Sequence, residues 1–153
     1  MEQQILLSES HEDRYERGDH CVGISIWHFE WCTKYRYEMF GKEKYKNLVT
    51  ACIRRAASMN KIEFIELNVR AEHVHCVAKI PATMSPSKAL QILKGGSAYW
   101  FFRNHEKARL RYPRGYLWSR GRFFASVGFV QIETVREYVR NQDVHHASGN
   151  RTF

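Results

Sequence analysis

Two short patterns in this chain hold residue types that could build a reaction centre. The first is His73-Val74-His75. On an extended backbone, side chains alternate between faces, so two imidazoles one residue apart project together, ~7 Å apart along the strand. Neutral imidazoles so placed can converge on a divalent metal ion. Spacing alone is equally compatible with two polar residues on the exposed face of a strand. The second pattern is Tyr138 with Gln142, four residues apart and therefore stacked on one side of a helix. A phenol with a pKa near ~10 is a poor nucleophile unless a metal or a base assists it. Ile132, Val135 and Val139 form an apolar stripe beside Tyr138, so an ordinary half-buried core tyrosine would leave the same pattern.

The elements that must position these residues follow from periodicity. Val22 to Cys32 is rich in β-branched and aromatic residues and reads as a strand, followed by the basic-aromatic stretch Thr33 to Tyr37. Lys42 to Met59 has the apolar spacing of an amphipathic helix. Ile62 to Val69 and His73 to Ile80 read as a hairpin joined by Arg70-Ala71-Glu72. In the second of these strands Val74, Cys76, Ala78 and Ile80 share the apolar face, which leaves His73 and His75 on the other, open face. Ser85-Pro86 has the form of an N-cap with proline in the first helical position, opening a helix to about Arg103. Gly95-Gly96 within it points to a kink or to the close approach of another backbone. Tyr116 to Gln131 reads as a strand interrupted at Gly121, and a last helix spans about Glu133 to Asp143. The order strand, helix, strand, strand, helix, strand, helix is that of an α+β, ferredoxin-like (RRM-like) antiparallel sheet with helices on one face.

Composition narrows the function classes. The 153 residues fit one domain, with residues 1–20 as a flexible acidic extension, 21–144 as the domain and 145–153 as a flexible tail. Net charge is +8, but residues 1–20 hold six acids against Arg14 and Arg17, so the remainder carries +12. A basic body with interleaved aromatics is the electrostatic footprint of a nucleic-acid binder, and equally of a merely soluble basic surface. Cys21, Cys32, Cys52 and Cys76 are scattered without a paired motif, which argues against a zinc knuckle or a disulfide framework. They are expected to be reduced and mostly buried. No run approaches the ~20 apolar residues of a membrane helix, and the acidic start lacks the order of a signal peptide. A cytoplasmic protein is expected.

The motifs together carry more than either alone. Glu72-His73-Val74-His75 resembles the His-hydrophobic-His motif of the HUH endonuclease superfamily. Glu137-Tyr138-Val139-Arg140-Asn141-Gln142 resembles the tyrosine helix of its single-tyrosine transposases, the insertion-sequence 200/605 family. Trp31 to Tyr37, Leu93-Lys94-Gly95, Leu117 to Phe124 and Ser126-Val127-Gly128 follow in the family's order. Cys76 departs from it, standing where a larger aliphatic residue is more usual, and residues 1–20 are outside the pattern.

The resemblance implies the HUH endonuclease architecture, with a metal, Mg²⁺ or Mn²⁺, ligated by His73, His75 and Gln142. It implies that Tyr138 attacks single-stranded DNA, leaving a 5′-phosphotyrosine link and a free 3′-hydroxyl, and that strands rejoin without ATP. The partners implied are hairpin-bearing element ends and a second copy of the chain, with Tyr138 acting in trans. Lys34, Tyr35, Arg36, Arg120 and Arg122 are the residues expected to touch DNA, by phosphate contact and base stacking. The alternatives are a non-catalytic or domesticated binder of hairpins or single strands, and a replication or relaxase nuclease of the same superfamily.

Overall fold

The computed structural model describes residues 16–17, 22–128 and 136–141. Two short strands, β1 (Glu16–Arg17) and β2 (Val22–Gly23), pair with each other as a separate antiparallel ladder, which crosses the boundary placed at residue 20. The rest of residues 1–20, the tail 145–153 and Gln142 lie outside the described residues.

The main sheet contains β3 (Ile26–Cys32), β4 (Glu63–Val69), β5 (His73–Lys79) and β6 (Phe123–Ser126) in the order β4-β5-β3-β6, with every pair antiparallel. Two crossing helices, α1 (Glu43–Ser58) and α2 (Pro86–Asn104), complete the expected ferredoxin-like α+β arrangement. Val49, Cys52, Ile53, Ala56 and Ala57 recur at helical spacing and form the buried stripe of α1. On α2 the Ser85 side chain accepts a hydrogen bond from the Lys88 amide (3.1 Å), and Pro86 occupies the first turn, where it costs no hydrogen bond. The core lies between these helices and the sheet face carrying Phe29, Trp31, Val74, Cys76 and Ala78. Cys52 and Cys76 are buried free thiols and Cys32 is half-buried, as expected.

α2 runs without a break through Gly95-Gly96. The glycine pair serves close approach: a Cβ at Gly96 would sit 2.7 Å from the Ala56 Cβ of α1.

The strand expected over Tyr116 to Gln131 is corrected to Phe123–Ser126, preceded by a lone bridge between Trp118 and Thr33. Its first half is a strap: the Ser119 N–H donates to the Cys32 carbonyl (2.9 Å) and the Lys34 N–H to the Leu117 carbonyl (2.8 Å), but the carbonyls of Ser119 and Gly121 turn to α2. The Lys94 ammonium of α2 donates to the Ser119 carbonyl (2.7 Å) and to that of Gly121 (3.3 Å). The indole N–H of Trp118 donates to the Ser97 hydroxyl (2.9 Å), which ties the strap to the same helix.

Residues 136–141 are helical (α3) and seated on the opposite face of the sheet. Val139 is fully buried in a second, smaller apolar cluster with Ile26, Val77 and Val127. Asn68 Nδ2 donates to the Val139 carbonyl (3.0 Å), and Arg136 Nε lies 3.0 Å and Arg140 Nε 3.3 Å from the Glu66 carboxylate. The face expected to be open is therefore partly covered.

Candidate active site

β5 puts His73, His75 and Val77 on the α3 side of the sheet and Val74, Cys76 and Ala78 on the helix-covered side, as alternation predicts. Exposure does not follow the expectation of an open face. His75 is 0% exposed and His73 7%, the two rings packed edge-on against each other.

Register then brings β3 into the site. Glu30 stands opposite His75, and His28 opposite Val77, so two further polar side chains share the histidine face. Ligand atoms of His28, Glu30 and His75 lie within 4.8 Å of one another, an arrangement that could hold a metal ion. His75 Nδ1 is 3.4 Å from Glu30 Oε2, and the His28 and His75 rings stack with centroids 6.0 Å apart. His73 is edge-on to His75 at 4.6 Å, while its Nδ1 is 3.0 Å from the Glu72 carboxylate, the contact that fixes a ligand imidazole's orientation.

Electrostatics favour a cation here. Burial lowers the pKa of His28, so its ring is neutral and able to ligate. Its buried Nε2 has no hydrogen-bond partner among the described residues. Burial raises the Glu30 carboxyl above its ordinary value, against the opposing pull of the Arg36 guanidinium. A cation would relieve both: the orphaned nitrogen gains a partner and the carboxylate a counter-charge. The nitrogen and oxygen donor set is of the kind that holds a divalent metal ion.

Tyr138 reaches the same place. Its ring lies edge-on to His28 with centroids 6.4 Å apart, and it is 54% exposed, so it is not the core tyrosine that its apolar neighbours allowed. Phe123 of β6 packs on the other side of His28 at 5.6 Å.

The expected DNA-contacting residues divide into two places. Lys34–Arg36 forms a 3-10 turn directly after β3, with Tyr35 exposed, and the electrostatic pull of Arg36 on Glu30 places this turn beside the site. Tyr35 and Arg36 both have positive φ (63° and 53°), a conformation that costs energy for residues other than glycine. Arg120 and Arg122 lie on the other side of the sheet, beside α2. His28 and Glu30 were missed by sequence reasoning, although the alternation that singled out His73 and His75 applies equally to Ile26, His28, Glu30 and Cys32.

Comparison with known proteins agrees with this geometry. Residues 22–142 match the family described as "Transposase IS200 like". The chain is similar to the transposase for insertion sequence element IS200 of Salmonella typhimurium, 26% identical over 116 residues that cover 76% of this chain and 75% of the relative. It is also similar to the ISDra2 transposase TnpA of Deinococcus radiodurans, 25% identical over 76% of this chain and 82% of the relative. Two solved structures share the fold. One is a crystal structure assigned as a transposase of Deinococcus radiodurans (TM-score 0.65, 24% identity, 83% of this chain and 97% of that one). The other is a REP-associated tyrosine transposase bound to a REP hairpin (TM-score 0.61, 15% identity, 86% and 73%). With the family match running from the first residues of the sheet to the helix that carries Tyr138, this chain belongs to the IS200-like transposases of the HUH superfamily.

Proposed function

We propose that this transposase cuts single-stranded DNA at element ends with Tyr138 as nucleophile and rejoins the strands without ATP. The observation that carries the reading is the meeting, on one sheet face, of the Tyr138 ring with a His28, Glu30 and His75 group of metal-ligand chemistry. His75, His28 and Glu30 would hold Mg²⁺ or Mn²⁺, joined by His73 and by Gln142, the ligands implied by the resemblance. When bound there, such an ion supplies Lewis-acid stabilisation of charge on the phosphoryl oxygens. Glu72 would orient His73.

Tyr138 is 54% exposed beside His28, and its hydroxyl attacks the phosphorus, losing its proton as the new P–O bond forms. The P–O3′ bond breaks and the departing oxygen takes up a proton to become the 3′-hydroxyl. The 5′-phosphotyrosine link keeps the phosphodiester energy, so a 3′-hydroxyl from another strand can reverse the step.

Excision needs two cut ends and each chain has one Tyr138, which argues for a homodimer. Action in trans fits the seat of α3. In a swapped dimer the element is exchanged between identical protomers, and Val139, Arg136 and Arg140 would make their contacts with the partner's sheet in place of their own. The specific observation favouring action within one chain is that Tyr138 here lies beside its own His28.

The deciding experiment incubates the protein and a Tyr138→Phe variant with a labelled single-stranded element end and Mn²⁺, and looks for a covalent protein-DNA band on a denaturing gel. The expected band requires Tyr138 and the metal. DNA binding without any adduct would overturn the transferase reading and leave a non-catalytic hairpin-binding protein.

A further inference from the structure

On the side of the sheet away from Tyr138, the strap of residues 119–122 runs beside α2 and encloses a notch of about 330 Å³. Its lining holds three cations, Lys94, Arg120 and Arg122, with Leu90, Gln91 and Gly95, and no acid. Two of the three cations, Lys94 and Arg122, are anchored. Lys94 is anchored by the Ser119 and Gly121 carbonyls, and Arg122 donates to the Ser87 hydroxyl (2.7 Å) in the first turn of α2. Burial and the neighbouring Arg122 charge both lower the Lys94 pKa. Converging like charges are costly unless an anion joins them.

The notch opens, through Lys94, Gly95 and Arg120, into a groove of about 870 Å³. Tyr99 and Tyr116 line that groove and are both more than half exposed, an unusual state for large aromatics. Fixed cations beside exposed aromatic faces are the combination that binds single-stranded nucleic acid, with phosphates on the charges and bases on the rings.

We propose that this notch is a backbone-phosphate subsite for single-stranded DNA, and that the groove stacks an unpaired base of the same strand on Tyr116. The inference rests on the reading of the chain as a single-strand transposase and adds a place where the strand is held, separated from the cutting site by the thickness of the sheet. Arg120 and Arg122 belong to this holding subsite and not to the reaction centre.

The test measures binding of a fluorescein-labelled oligothymidylate to the full chain by anisotropy over a range of salt, for wild type, the Arg120→Gln/Arg122→Gln double variant and Tyr116→Ala. Removing one cation that neutralises a phosphate is expected to flatten the slope of log affinity against log salt by about 0.7. Tyr116→Ala is expected to weaken binding about tenfold with the slope unchanged, because stacking releases no counter-ions. An Arg120→Lys/Arg122→Lys variant should recover most of the slope, which a merely structural defect would not allow. If the double glutamine variant does not fold, Arg120→Gln alone decides, since Arg120 has no hydrogen-bond or ion-pair partner among the described residues. A folded variant with wild-type affinity and slope overturns the subsite. The covalent-adduct assay run in parallel separates the two proposals. An adduct with unaltered binding in the variants sinks the subsite alone, and weakened binding without any wild-type adduct sinks the transferase reading alone.

Discussion

His75 Nδ1 lies 3.4 Å from the carboxylate of Glu30, across a β3–β5 register in which the two residues stand directly opposite each other. The contact makes Glu30 either an orienting partner of a ligand imidazole or a ligand itself, and in both cases metal affinity depends on its charge. Glu30→Gln keeps the shape and removes the charge. We expect Mn²⁺ affinity to fall about 10- to 100-fold, measured by calorimetric titration, with the fold retained. His75→Ala should abolish binding. Unchanged affinity in both variants would remove this group from the metal site.

If Tyr138 serves the partner's histidines, subunits with different lesions complement each other. Mixing Tyr138→Phe protein with His75→Ala protein, each inactive alone, is expected to restore covalent adduct on the His75→Ala chain. Absence of adduct from the mixture, with dimers shown by light scattering, would mean that α3 keeps the seat on its own sheet.

Tyr112 offers a pH signature remote from the site. Its ring is buried against Tyr37 and Phe102, and burial pushes the phenol up to about 12. Above pH ~10 the unfolded chain releases this proton while the folded chain still holds it, so stability falls between pH ~10 and the folded value. Thermal melts at rising pH should show this decline, and Tyr112→Phe should lessen it. An equal alkaline decline in Tyr112→Phe would assign the effect elsewhere.

The adjacent glycines of α2 should respond oppositely to alanine. At Gly96 the new methyl meets the Ala56 side chain at 2.7 Å, so α1 and α2 must separate, at a cost of ~1–3 kcal/mol. At Gly95 nothing lies within 4 Å, and Gly95→Ala should stabilise by ~0.5–1 kcal/mol through the better helix propensity of alanine. Denaturant titration of the two variants checks the sign; destabilisation by both would mean that Gly95 is also packed.

Local chemistry made much of this protein legible before its structure. Alternation along β5 assigned His73 and His75 to one face and the apolar set to the core, and Ser85-Pro86 marked the start of α2, because both signals depend on residues a few positions apart. The glycine pair likewise announced a close contact, realised at Ala56. What the chain alone could not reveal depends on pairings between distant segments. The β3–β5 register decided that His28 and Glu30 join His75, and the docking of Val139 against Ile26 and Val77 brought Tyr138 beside His28. Lys94, by taking the carbonyls of Ser119 and Gly121, turned half of an expected strand into a strap and placed Arg120 and Arg122 away from the reaction centre. Periodicity records which way a side chain points, and only the folded chain determines what stands opposite it.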